Sequence, residues 1–303
     1  MSRPAQISDS PLGYAYALCT YVMWGIMPIY MKALAHIPPT EVIAHRVIWS
    51  LPIAGAVLIW NRRTDDLRAA LRRPRLLAMA MLTASLITVN WLIYVWAITN
   101  DHAIEAALGY YINPLFSVGL AALLLGERLG RLQLAAVALA ALAVVVLTVE
   151  SGSLPLVSVG LTLSWGFYAF FKRSLPLGPN QGFTLEVMLL FLPALGYVIW
   201  LHMQQAGHFG TNWSDTLLLI GCGPVTAIPL MLYANAAKLL RLSTIGILQY
   251  ITPTMVFIVA VWLFGEPFGG AKVIAFPLIW AALILYSWAL IHSARARRRA
   301  AGP

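Results

Sequence analysis

The segment Gly109–Arg131, GYYINPLFSVGLAALLLGERLGR, has a second copy in Leu248–Gly270, LQYITPTMVFIVAVWLFGEPFGG. Each copy opens on an aromatic-Ile-polar-Pro start, continues as an apolar run long enough to sit in lipid, and closes on Gly-Glu. Tyr111, Ile112 and Pro114 correspond to Tyr250, Ile251 and Pro253, and Gly126-Glu127 to Gly265-Glu266, every pair 139 positions apart. A second set lies 141 apart: Trp24-Gly25 with Trp165-Gly166, and Pro52 with Pro193. The chain is one unit of about 140 residues written twice. The units are expected at 1–150 and 151–303, the second ending in a basic tail.

Composition says which solvent the two units face. The 303 residues are 60% hydrophobic and only 10% charged, with a mean hydropathy of +0.79. Soluble domains carry about 25% charged residues, so this chain is built for a lipid bilayer. A net charge of +9 raises the question of nucleic acid. The basic residues fall in short clusters between apolar runs and not in one patch, which is the pattern of membrane topology. No nucleic-acid partner is therefore expected. Cys19 and Cys222 lie inside apolar runs without a pairing framework, and the six histidines have no ligand spacing. No phosphate-cradling loop and no G-x-S-x-G nucleophile motif occurs, and GCGPVT at Gly221 lacks the third glycine of a dinucleotide fingerprint. The expectation is a non-enzyme without metal or cofactor. The first residues, MSRPAQISDSPLG, do not read as a removable signal peptide.

At about 20 residues per crossing, ten spans are expected, near 12–34, 41–60, 75–99, 103–125, 129–149, 155–175, 183–202, 216–238, 243–265 and 271–291. If ten spans alternate, 17 of the 20 basic residues fall on one side, leaving Lys32, Arg46 and Lys272 elsewhere. Both termini are then cytoplasmic. Five spans per unit place the second unit upside down. The charges agree: the arginine-rich segment Arg62–Arg75 has as its repeat counterpart the segment His202–Asp215, which holds no Lys or Arg. The fold expected is an all-α integral membrane protein, ten transmembrane helices in two inverted-topology five-helix repeats, an arrangement common in secondary transporters.

Polar residues within spans are the places where chemistry can reside, since a charge there costs at least a few kcal/mol and faces a cavity or a partner. Glu41 and His45 lie four apart on one face of span two with Arg46 beside them. They form either a solute-binding or proton-handling cluster near the outer mouth or a structural ion pair of Glu41 with Arg46, and both readings stay open. In span three, Asn90 and Tyr94 share a stripe with Trp91 adjoining, which reads as a cavity wall with Asn90 as its hydrogen-bonding group. Trp24 and Trp165 are repeat partners, as are Tyr94 and Tyr233; they are expected at the cavity, with helix packing as the alternative. Asp101 is placed to cap the fourth span, with Glu105 in its first turn. Glu186 occupies the position of His45 in the second unit, and Gln249 precedes the second Tyr-Ile-polar-Pro start. Glu127 and Glu266 are expected as structural caps ending short helix hairpins.

The strings HRVIWS, NWLIYVWAI, EAALGYYINPL, LLLGERLG and RLSTIGILQYITPT, with the later Gly-Glu, resemble the RarD (chloramphenicol-sensitive protein) branch of the EamA group in the drug/metabolite transporter superfamily. The likeness runs in order from Trp24 to about Trp288. It implies ten helices, two inverted repeats and a central cavity, and export of amino acids, metabolites or drugs across the bacterial inner membrane. The partners expected are a small-molecule solute and the lipid bilayer. Efflux of neutral aromatic compounds is the alternative, an intramembrane enzyme or scaffold a more distant one.

Overall fold

The computed structural model describes residues 9–62, 64–126, 129–240 and 242–300, and within them every regular element is helical. Arg3, Arg63, Glu127, Arg128 and Arg241 lie outside the described residues, as do the side chains of Arg295 and Arg297 to Arg299. The first half comprises α1 (Pro11–Ala33), α2 (Pro39–Trp60), a short α3 (Asp65–Leu71), α4 (Pro74–Thr99), α5 (Ala103–Leu125) and α6 (Arg131–Ser151). The second comprises α7 (Leu156–Arg173), α8 (Pro179–Met203), α9 (Trp213–Leu239), the short α10 (Leu242–Leu248) and α11 (Ile251–Ile258), and α12 (Ala271–Ala300). A π-helical turn, Val259–Leu263, extends α11.

Lipid offers the backbone no hydrogen-bond partner, so each crossing segment must satisfy its own N–H and C=O groups by coiling into a helix. Local residues fix where each begins. Proline opens α1, α2, α4 and α8, where its missing N–H is not needed. Asn212 caps α9 by accepting from the Asp215 amide at 2.8 Å. Gly126 and Gly152, at φ +67° and +66°, end α5 and α6 in the left-handed conformation. Among the described residues nine segments are long and apolar enough to cross a membrane. The expected sixth span, α7, is a helix of 18 residues carrying Ser158, Thr162, Ser164 and Lys172, and is not one of the nine.

Three sequence expectations change. The expected span 243–265 is not one helix: it breaks at Gln249-Tyr250 between α10 and α11. Pro253 has no N–H for the Gln249 carbonyl four residues back, and its ring crowds that oxygen. The Arg62–Arg75 connection contains α3, with Asp65 and Asp66 at its positive end and Arg68 at its negative end. Asp101 does not cap α5. Its φ of +62° turns the chain, and its carboxylate pairs with Lys32 Nζ at 2.5 Å. The cap comes from the other half. Glu266 accepts from Ala103 N at 2.6 Å and Ile104 N at 2.9 Å, so it serves the start of α5 and not the end of its own hairpin.

Helix α1 packs on α9 and α11, α2 on α8 and α9, α4 on α7 and α8, α5 on α7 and α11, and α6 on α12. Two repeat-related glycines allow close helix contacts. A Cβ on Gly25 would lie 2.6 Å from that of Met255 in α11, and one on Gly166 would collide with the ring of Phe116 in α5. Small residues let membrane helices approach this closely. Outward, Leu123, Val149 and Trp262 are each more than three-quarters exposed, the surface a bilayer covers.

Gly166→Val forces the Phe116 ring away and should cost about 1–3 kcal/mol. Gly55, also within a helix, has nothing within 4 Å. Gly55→Ala should gain up to about 1 kcal/mol. Thermal unfolding of the two purified variants checks the pair; a Gly166→Val protein as stable as the Gly55→Ala one contradicts the packing described.

Candidate functional site

The residue that sets the chemistry of the interior is Arg46, in the third turn of α2 and only 3% exposed. Its Nε donates to Thr226 Oγ1 of α9 at 3.0 Å, and its guanidinium lies 4.6 Å from the ring centroid of Trp91 on α4. The side chains of Cys222, Tyr94 and Tyr110 are titratable groups close enough to act on it electrostatically. No carboxylate pairs with it among the described residues, and Nη1 has no protein partner. The Tyr94 hydroxyl, equally buried, has none either. An aromatic face and a hydroxyl stabilise a dry cation only in part.

Glu41 and His45 have other engagements, and the expected Glu41–Arg46 ion pair does not form. The Glu41 carboxylate accepts from His208 N at 2.7 Å and from His208 Nδ1 at 2.8 Å, tying the α8–α9 connection to the start of α2. Beside it His36 Nε2 donates to Asp215 at 2.9 Å. His45 Nδ1 accepts from Trp49 Nε1 at 3.1 Å and its ring stacks on Phe209, centroids 4.9 Å apart. His45 Nε2 is buried without a protein partner. Phe209 and Glu41 also line a cavity of about 210 Å³ with His202 and Met203. This end of the bundle is closed by one aromatic ring and two histidine–carboxylate pairs.

The repeated tryptophans meet. Trp24 and Trp165 touch edge to face at 6.5 Å, Trp24 leans on Tyr21 and Tyr233, and Trp165 on Tyr110 and Tyr168. Tyr110 continues to Tyr94 at 5.8 Å, so an aromatic cluster runs between the halves toward Arg46. Asn90 is part of its support. It donates to Leu161 O at 3.2 Å and Ser164 Oγ at 2.9 Å and accepts from Tyr110 OH at 3.4 Å. Its amide joins α4 to α7 and α5, and leaves little for a solute.

The opposite end is held by Glu186, 1% exposed. Lys172 Nζ lies 2.6 Å from Oε1, Thr83 Oγ1 of α4 donates to the same oxygen at 2.6 Å, and Tyr168 OH reaches Oε2 at 3.4 Å. Glu105 does not join either group: it accepts from His102 Nδ1 at 3.0 Å at the start of α5. Gln249 bonds to its own turn, donating to Gly246 O at 3.1 Å. Sequence reasoning missed Thr226, Trp49, Phe209, Tyr110, Cys222 and His208. It also counted Lys172 only among the basic residues of one membrane side. Tyr168 and Lys172, four apart on one helical face, carry the signal that would have turned Lys172 inward; a lone threonine or phenylalanine in an apolar run carries none.

The sequence model of the EamA-like transporter family matches residues 11–149. Protein RarD of Streptomyces exfoliatus is 41% identical over 98% of this chain and 95% of its own length. An uncharacterized transporter of Vibrio cholerae is 40% identical over 96% of this chain and 97% of its own. The chloramphenicol-sensitive protein RarD of Pseudomonas aeruginosa is 32% identical over 95% and 97%. A solved structure described only as the crystal structure of a protein aligns with a TM-score of 0.57 at 19% identity, over 90% of this chain and 96% of that one, a likeness of fold. The chain belongs to the EamA-like transporter family and is a multi-pass membrane protein of the drug/metabolite transporter superfamily.

The buried Lys172–Glu186 pair makes a stability prediction. Removing one partner strands the other charge, at about 3–5 kcal/mol, whereas replacing both by apolar groups is close to neutral. Lys172→Met alone should therefore lower the thermal midpoint sharply, and Lys172→Met with Glu186→Leu should restore most of it. A double variant as unstable as the single one contradicts a compensated pair.

Proposed function

We propose that this transporter is a secondary exporter of small amphipathic organic solutes, such as amino acids, across the bacterial inner membrane by alternating access. Arg46 carries the proposal. A guanidinium kept in the interior without a carboxylate is stabilised when a solute anion arrives, and a transporter needs such a difference between its empty and loaded states. The two polar closures fit the same cycle. Glu41–His208 with His36–Asp215 holds one mouth, Lys172–Glu186–Thr83 the other, and opening either exposes the interior to one side.

The architecture behind this is ten alternating spans in two inverted units, 1–150 and 151–303, with both termini cytoplasmic. Three observations support it. The family match ends at residue 149. Exchanging each helix for its counterpart turns the α1–α9 contact into α7–α4 and the α5–α7 contact into α11–α1, all of them packed pairs. Likewise, Gly25–Met255 becomes Gly166–Phe116. Polar contacts between connections also obey the alternation: Lys32 with Asp101 and Glu41 with His208 on one face, Gln181 with Asp66 on the other.

A second reading, efflux of neutral aromatic compounds, is favoured by the ring cluster around Trp24 and Trp165, which offers flat apolar faces. Liposome flux separates the two. Arg46→Gln should slow a carboxylate solute at least tenfold, about 1.4 kcal/mol, with folded yield unchanged and chloramphenicol flux untouched. An Arg46→Gln protein that transports normally, or only fails to fold, removes the binding role. Reporter fusions at residues 68 and 208 should report opposite sides of the membrane; the same side for both rules out ten alternating spans.

A further inference from the structure

We propose that the Arg46 site selects carboxylates that carry no ammonium group, taking aryl-alkanoate anions in preference to the amino acids of the same shape. The inference rests on the transporter reading above and narrows its solute class. A zwitterionic amino acid brings its ammonium one carbon away from its carboxylate, so whatever holds the carboxylate also draws the cation into the same dry space. That cation needs an anionic partner, because an isolated charge in a low-dielectric interior is strongly disfavoured.

Among the described residues, the surroundings of Arg46 supply none. Helix α2 packs against α4, α8 and α9. From α4 come Trp91 and Tyr94, from α9 Thr226 and Cys222, and from neighbouring α5 Tyr110. The acidic groups on or against α2 are engaged elsewhere: Glu41 by His208, Glu186 by Lys172 and Thr83, Asp215 by His36 and Asn212. On α2 and α4 the buried groups that lack partners can all donate. Arg46 Nη1 has only hydrogens to offer, and the Tyr94 hydroxyl has a free one. On the same turn of α2, His45 uses Nδ1 as an acceptor from Trp49, which leaves its neutral ring with the proton on the unpartnered Nε2. Donors in excess, one uncompensated positive charge and no free carboxylate define a receptor for an anion. The neighbouring rings suggest the rest of the ligand: Trp91 against the guanidinium and the Tyr94–Tyr110 pair offer aromatic faces suited to a flat apolar body.

Four probes of one shape test this on the purified full chain in nanodiscs by isothermal titration calorimetry: 3-phenylpropionate, L-phenylalanine, 3-phenylpropionamide and 2-phenylethylamine. The expected order puts 3-phenylpropionate at least tenfold tighter than L-phenylalanine, with the amide and the amine at least a hundredfold weaker. Arg46→Gln should abolish the advantage of the acid over the amide. The series on the unaltered protein decides the matter even if that variant folds poorly. Equal or tighter binding of L-phenylalanine, an amide that binds as well as the acid, or no binding by any of the four overturns the proposal. Liposome flux keeps the two readings apart. If 3-phenylpropionate binds and never crosses, the transport reading fails and the selectivity stands; if L-phenylalanine crosses while 3-phenylpropionate neither binds nor crosses, the reverse holds.

Discussion

Lipid gives a buried polar group nothing to bond to, and that single constraint organises this molecule. It forces the backbone into helices, and it sends each polar side chain inside the bundle to find a partner on another helix. Most succeed. Glu266 reaches across to the amides that open α5, Asn90 binds α7 through Leu161 and Ser164, and Glu186 collects Lys172, Thr83 and Tyr168. Against that background Arg46 stands apart as a buried cation with a threonine and an indole face but no anion. Everything inferred about solute chemistry depends on that contrast.

The partners also divide into those that hold the bundle together and those that close its ends. Gly25 against Met255 and Gly166 against Phe116 are backbone-close contacts that resist movement. The ends are held by groups whose attraction depends on charge: two histidine–carboxylate pairs at one, a lysine–glutamate pair at the other. Close packing between the helices and charge-dependent contacts at the two ends suit the alternating access proposed above, in which the ends would part while the helices keep their shape. The break at Gln249-Tyr250 and the π-helical turn after it put the irregular backbone of α10 and α11 beside α1 and α5, where a helix can bend.

The sequence carried the helical class and the position of Arg46 in full, because hydropathy over a window and the rarity of a mid-span cation are local properties. The pairing of Trp24 with Trp165 was also legible, through the 141-residue spacing that put them at matched positions. Partner choice was not. Glu41 sits five residues from Arg46 in sequence and bonds instead to His208, 167 positions away. Asp101 looked like a cap by proximity, yet the cap is Glu266, 163 positions from Ala103. In each case the nearby candidate lost to a distant one because the fold, and not the spacing, decides which groups share a dry space. Lys172 is a related case: in sequence it counts only toward the charge of one membrane side, and the buried Glu186 draws it inward.

The most direct test of the central claim is an experimental structure of the protein with 3-phenylpropionate bound. The account predicts density for the carboxylate at about 3 Å from Arg46 Nη1, with the phenyl ring against Trp91 and the Tyr94–Tyr110 pair, and Glu41 still held by His208. A carboxylate seated on Lys172 or Lys32, or a Glu41 swung onto an otherwise empty Arg46, would contradict it.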